Sequence, residues 1–234
     1  NVLLLDQAEY AFDEGPWMEK EEILRADNAF RSHLGFPSRM DAVAQPWVVE
    51  KERAEHCLRL RFRILSDIPV SGASLALENA EQTGIRLNGL AVPCKPEGYF
   101  VDKAIEKVPL PALACGENLL ELTVPVTRRE GAEWCYLLGN FGVRMEGDGA
   151  RLVSLPEKLG FGDWCGQGLP FYCGNVRYHL PIQGKGTLKV RASHYRGALL
   201  GMAVDGGDEK LVAYAPYAAS FPGLDQGEHC LTVT

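Results

Sequence analysis

The side chains with the most chemistry to offer are aromatic. Trp134 follows the polar run Arg129–Glu133, Trp164 follows Gly162-Asp163, and Tyr172, Tyr195 and Tyr217 lie near turn residues. A flat ring can stack on the apolar C–H face of a sugar while polar neighbours take its hydroxyls. Trp134, Trp164, Tyr172 and Tyr195 are therefore the candidate carbohydrate-binding residues. The competing use of such rings is to fill a core, where aromatics contribute the most burial. Phe171 and Tyr178 are assigned to that role.

Hydrolysing a glycosidic bond takes two carboxylates about 5–9.5 Å apart. Asp13-Glu14, Glu19, Glu21 and Glu22 cluster around a helix start, and Glu130 and Glu133 share a loop. None stands out from its context, so no catalytic residue is assigned, and a carboxylate site within the chain is kept as an alternative. Asp205, Asp208 and Glu209 place hard oxygens in one loop, as calcium requires, but not at EF-hand spacing. The hairpin tip Asp205-Gly206 explains the first of them. The histidines (His33, His56, His179, His194 and His229) show no ligand spacing, so each is expected to be solvated or hydrogen-bonded. No Gly-x-Ser-x-Gly elbow occurs, and Gly166-x-Gly168 is not followed by a helix pattern, so no hydrolase elbow or dinucleotide loop is suggested. No metal and no cofactor is expected.

The elements that must position these residues are mostly strands. Leu58, Leu60, Phe62 and Ile64 alternate with polar residues, as do Leu120, Leu122 and Val124, Leu188 and Val190, and Leu231 and Val233. Short alternating runs bounded by Gly, Pro, Asn and Asp are the pattern of antiparallel sandwiches. One helix is expected, opening near Pro16 with Glu19, Glu21 and Glu22 in its first turns. Ile23, Ala26, Phe30 and Leu34 recur along it, and Gly35 and Pro37 end it.

Composition excludes several classes. With 46% hydrophobic and 24% charged residues among 234, the chain is globular rather than disordered. Its net charge is −7, and Arg59, Arg61 and Arg63 alternate along one strand face instead of forming a patch. Nucleic acid is therefore not an expected partner. No apolar run approaches the roughly 18 residues of a membrane helix, so no membrane partner is expected either. The absence of an initiator Met reads as an excised segment, whose partners would be carbohydrate and other domains of the same parent chain. The seven cysteines follow no metal or redox spacing. They read as buried reduced thiols, which favours a reducing, cytoplasmic setting.

An internal repeat is the most informative feature. Ser74-Leu-Ala-Leu-Glu78, Ile85-Arg-Leu-Asn88-Gly89 and Gly116-Glu-Asn-Leu119 are echoed by Thr187-Leu-Lys-Val-Arg191, Met202-Ala-Val-Asp205-Gly206 and Gly227-Glu-His-Cys230. The tips are strong hairpin signals because both residues tolerate positive φ. The expected organisation is a strand–helix segment over 1–44, the tail of a preceding domain or a brace on the next, then a first β-sandwich over 45–149 and a second over 150–234, which is either completed by strands before Thr187 or truncated.

Asn88-Gly89, Tyr99 to Asp102 and Gly116-Glu117-Asn118-Leu119 resemble the sugar-binding jelly-roll domains of family 2 glycoside hydrolases. Tyr136 to Val143, Gly168 to Tyr178, Asn1 to Asp6 and Gln45-Pro46-Trp47 are similar to the C-terminal β-sandwich region of large bacterial proteins related to family 106, the α-L-rhamnosidases. The resemblance implies an all-β fold of two antiparallel jelly-roll sandwiches, galactose-binding-domain-like, with one N-terminal helix. It also implies that the family's catalytic carboxylates belong to a (β/α)-barrel, which has no counterpart here. Domains of this kind sometimes carry structural calcium. The expected function is a non-catalytic accessory region of a glycoside hydrolase, binding carbohydrate or shaping its cleft; the alternative is a structural inter-domain scaffold.

Overall fold

The structure, a computed structural model, describes residues 1–38, 52–147 and 149–234. Gln45-Pro46-Trp47 and the expected boundary at residue 45 lie outside the described residues. The chain forms two compact units, 1–172 and 173–234. The fold is all-β, with one α-helix among the described residues.

Unit 1 opens with β1 (Val2–Leu5), β2 (Gln7–Phe12) and β3 (Met18–Glu22), followed by α1 (Ile23–Leu34). Then come β4 (His56–Ser66), β5 (Ser74–Glu78), β6 (Gly84–Leu87), β7 (Leu90–Val92), β8 (Tyr99–Phe100), β9 (Asp102–Pro109) and β10 (Gly116–Val126). The unit ends with β11 (Cys135–Leu138), β12 (Gly142–Glu146) and β13 (Gly149–Val153). One sheet runs β1-β11-β5-β9-β8 and the other β12-β13-β4-β10-β6-β7, with β2 on β4 and β3 on β2. The long β4 makes this second sheet possible: β10 pairs along its whole length, while its other edge is shared by β2 at 58–61 and, in parallel, by β13 at 65–66.

The two sheets share one core, to which β4 brings Leu58, Leu60, Phe62 and Ile64, and the opposite sheet Leu75, Leu77, Val108 and Leu137. Each such side chain contributes about 1.5–3 kcal/mol by leaving water. Arg59, Arg61 and Arg63 take the other face of β4, where glutamates and a ring meet them. Arg61 donates to Glu121 at 2.9–3.0 Å, Arg63 bonds Glu9 at 2.8 Å, and the Arg61 guanidinium lies 3.8 Å from the centre of the Trp17 ring.

The helix begins later than its sequence suggests. Met18–Glu22 pairs with β2 as a strand, and Glu22 becomes the N-cap, its carboxylate accepting from the N–H groups of Leu24 and Arg25. Its end is as expected: Gly35 adopts φ 67°, and Phe36 N–H returns to the Arg31 carbonyl. The first 38 residues are integral to unit 1, because β1 is the edge of one sheet and β2 is hydrogen-bonded in the other.

The boundary between units also falls elsewhere than residue 150. β12 and β13 form a hairpin across Gly147, and β13 joins β4, which keeps this stretch in unit 1. Unit 2 holds β14 (Tyr178–Arg191), β15 (Leu200–Val204), β16 (Lys210–Val212) and β17 (Ala218–Val233), in the order β14-β17-β15-β16. Where the pattern predicts a second sandwich, the described residues form one four-stranded sheet. The excursions 192–199 and 213–217 contain no strand, whereas unit 1 places β5 and β9 at the matching points.

The first element of the repeat does not correspond, since Ser74–Glu78 is β5 whereas Thr187–Arg191 is the end of β14, but its tips and Gly-Glu strands do, as a side-chain clasp. At each tip an Asn or Asp with φ near 50° ends a strand. Asn88 N–H donates to the Leu119 carbonyl and its Oδ1 accepts from Leu119 N–H, both at 2.8 Å; its Nδ2 donates to Asn118 Oδ1 at 3.1 Å. Asp205 repeats this with the Cys230 backbone at 2.9 and 2.7 Å and with His229 Nδ1 at 2.6 Å. A third copy joins Asp13 to the Cys57 backbone at 2.9 and 2.8 Å and to His56 Nδ1 at 2.9 Å.

Candidate functional site

The long β14–β17 ribbon brings two loops to one end. Arg191 pairs with Ala218, so the excursion leaving β14 and the one entering β17 open side by side, joined by Ala192 N–H to the Tyr217 carbonyl at 2.9 Å. On them Tyr195 and Tyr217 meet edge to face, with ring centres 5.4 Å apart and planes at 78°. A turn with Tyr217 N–H on the Tyr214 carbonyl at 3.0 Å contains the cis Ala215-Pro216 bond, and Tyr214 is 81% exposed. Ser193, His194 and Arg196 are exposed beside Tyr195. Beneath the loops Lys210 Nζ donates to the Ser220 carbonyl at 2.6 Å and lies 5.0 Å from the centre of the Phe221 ring, which anchors β16 to β17. Chemically this is a rigid ring pair and an open ring, flanked by hydroxyl, imidazole and guanidinium groups.

The other aromatic candidates lie in connections of unit 1, Trp164 and Tyr172 in the same one. Trp134, 40% exposed, precedes β11 and is pinned by its indole Nε1, which donates to Glu22 Oε1 at 2.6 Å. Trp164 is half-buried at the start of a short turn, where its carbonyl accepts from the N–H groups of Gln167 and Leu169. Tyr172, also half-buried, closes onto the Leu169 carbonyl at 3.3 Å. Phe171 packs against the core of unit 1, as expected. Within unit 2 the Tyr195 ring meets that of Tyr217. Its partner Tyr217 and the neighbouring Tyr214 carry no periodic signal in Ala213-Tyr-Ala-Pro-Tyr217, so pattern alone does not select Tyr214.

The carboxylates serve as braces. Arg63 first, against some burial, holds the Glu9 carboxyl below the usual range; Arg144 and Arg151 do the same for Glu146. Burial pushes the Asp13 and Glu22 carboxyls up, but hydrogen bonds outweigh it and both lie below the ordinary value. The donors are Cys57 N–H and His56 for Asp13, and Trp134 and the helix N–H groups for Glu22. Asp205 is lowered, chiefly by the Cys230 N–H and then by His229. A general acid at neutral pH needs the opposite displacement. The Asp205 carboxylate of the suggested calcium cluster is occupied by Cys230 N–H and His229. Among the described residues no group of three or more His, Cys, Asp or Glu could hold a metal ion.

All seven cysteines are free thiols. The expectation that they are buried holds for Cys135 alone; Cys115, Cys165 and Cys173 are exposed because they fall in connections between strands, not within them.

No family model matches the chain, and no curated protein matches it. Among solved structures it is similar to two crystal structures of a GH2 beta-galacturonidase from Eisenbergiella tayi, one bound to glycerol and one to galacturonate. In each case the identity is 9%, the TM-score is 0.32, and the match covers 99% of this chain and 36% of that one.

Proposed function

We propose that this chain is a non-catalytic accessory region of a glycoside hydrolase and that it contacts carbohydrate through the Tyr195–Tyr214–Tyr217 end of unit 2. The observation that carries this reading is the ring cluster: a large aromatic left 81% exposed beside an edge-to-face pair, on two loops fixed to one ribbon. Rings held by a scaffold lose little entropy when a sugar stacks on them, which is the benefit of preorganisation. The motif resemblance of Asn88-Gly89 and Gly116 to Leu119 supports the same class. Affinity electrophoresis through gels containing soluble polysaccharides tests it, with Tyr195→Ala and Tyr214→Ala as controls and circular dichroism to check folding. Retardation of the native chain that is lost in both folded variants is the expected result. Unretarded migration on every polysaccharide, or unchanged retardation in both variants, sinks the reading.

A structural scaffold is the second reading. It is favoured by Trp134, whose indole N–H is spent on Glu22 and ties the strand-entry loop to the helix cap.

A further inference from the structure

His229 differs from its counterparts in the other two clasps. Its Nδ1 lies 2.6 Å from Asp205 Oδ2, and its Nε2 lies 2.9 Å from the Asp225 carbonyl oxygen. Both ring nitrogens thus face acceptors. A neutral imidazole has one N–H and must leave one acceptor against a lone pair; only the imidazolium satisfies both. In the equivalent place unit 1 uses Asn118, which cannot titrate. His56 faces Asp13 with Nδ1 and meets the Phe30 ring edge-on at 6.1 Å.

The position of Asp225 makes this consequential. The β14–β17 pairing runs regularly from Tyr178↔Val233 to Gly184↔Gly227, shifts register through Gly186↔Leu224, and resumes at Leu188↔Phe221. Asp225 lies in that irregular stretch. The ring therefore ties three points together: the β15–β16 tip through Asp205, the regular half of β17 through its own backbone, and the bulge through Asp225. We infer that Asp205, His229 and the Asp225 carbonyl form a proton-operated clasp across the β17 bulge, closed while the imidazole holds two protons and released when it loses one.

The charges around the ring agree. The Asp225 carbonyl first, then Asp205, raise the His229 pKa above its ordinary 6.5, and the Asp225 carboxylate adds attraction. The β14 residue opposite is the apolar Ile182; next to it Gln183 bonds Glu228 at 3.0 Å, and Cys230 faces His179 at 4.0 Å. On the hairpin loop Glu209 turns onto Gly201, and Asp208 is exposed. A raised histidine pKa gives stability that is full below the unfolded value near 6.5 and lost as pH rises through the folded value. The lowered Asp205 carboxyl works the other way: its contribution is lost as pH falls below its ordinary 3.8. The clasp is closed between these limits and opens as pH rises through the raised His229 value.

The test uses the whole chain. The His229 ring is titrated by NMR, and amide exchange is followed at 202–206 and 224–230 from pH 5 to 9, corrected for the intrinsic rate. His229 is expected to titrate above 6.5. Exchange in both segments is then expected to accelerate as pH passes that value, by roughly tenfold for each unit of displacement. The double variant Asp205→Asn/His229→Asn rebuilds the Asn88–Asn118 pair in unit 2 and is expected to keep its protection while losing the pH dependence. Titration of His229 at or below 6.5, or the same acceleration in the double variant, overturns the proposal. Should the double variant fail to fold, the native titration and exchange profile decide the matter alone.

Discussion

Asp27→Ala should cost unit 1 more than any surface substitution, and the structure says why. Asp27 and Arg31 are both 0% exposed, one helical turn apart on α1. Arg31 Nε donates to Asp27 Oδ2 at 2.7 Å, and its two terminal nitrogens donate to the carbonyls of Arg128 and Glu130 at 3.0 and 2.8 Å. Asp27 Oδ1 in turn accepts from Ala132 N–H at 3.0 Å. The pair pins the 128–132 loop to the helix. Gly131 completes the fit, because a Cβ there would sit within contact of both side chains. Removing the carboxylate leaves a guanidinium buried without its counter-charge, which costs about 3–5 kcal/mol. For a unit of this size that lowers Tm by roughly 6–20 °C. Urea unfolding of native protein and variant, followed by circular dichroism, measures the loss. The double variant Asp27→Leu/Arg31→Met removes the unpaired charge but takes these hydrogen bonds from three backbone groups, at about 1–3 kcal/mol each, so it should stay well below native stability. A loss below about 1 kcal/mol for Asp27→Ala refutes the reasoning, since a pair that cheap to break would have to be solvated.

Three further outcomes follow from the same geometry. Asn118→Ala removes a fully buried amide that both donates to and accepts from Ala114 and accepts from Asn88; unfolding should show a loss of about 2–5 kcal/mol, whereas an effect within about 0.5 kcal/mol contradicts the clasp. Glu22→Ala deletes the helix cap and the Trp134 acceptor at once, costing about 0.5–2 kcal/mol and shifting Trp134 emission. Because the native Glu22 pKa is lowered, its stabilisation holds above the ordinary 4.5 and fades as pH falls below it, so an emission change with a midpoint at or above 4.5 counts against the pairing. In native protein Ellman's reagent should react fast at the exposed Cys115 and Cys173 and slowest at Cys135, where burial raises the thiol pKa; fast labelling of Cys135 would contradict its place in the core.

Much of this was written in local pattern. Alternation placed Leu58, Leu60, Phe62 and Ile64 on one face of β4 because side chains of a strand point to opposite faces in turn. Asn88-Gly89, Asp205-Gly206 and Gly35 marked their turns because few residues accept positive φ. What stayed hidden depends on partners far away in the chain. Met18–Glu22 has acidic residues suited to a helix start, yet β2 offers a strand edge and the ladder outweighs propensity. Asp27 and Arg31 have the spacing of a surface ion pair, and only the loop at 128–132, about a hundred residues on, turns them into a buried one. The third clasp was equally silent: Asp13 is followed by Glu14 rather than Gly, and its partners His56 and Cys57 come 43 and 44 residues later. Tyr195 and Tyr217 meet only because β14 and β17 pair to their ends. The sequence by itself determined which residues face inward and where the chain turns, since those follow from backbone sterics and burial. Tertiary structure alone decided which turns, rings and charges meet, because that depends on strand pairing between residues distant in sequence.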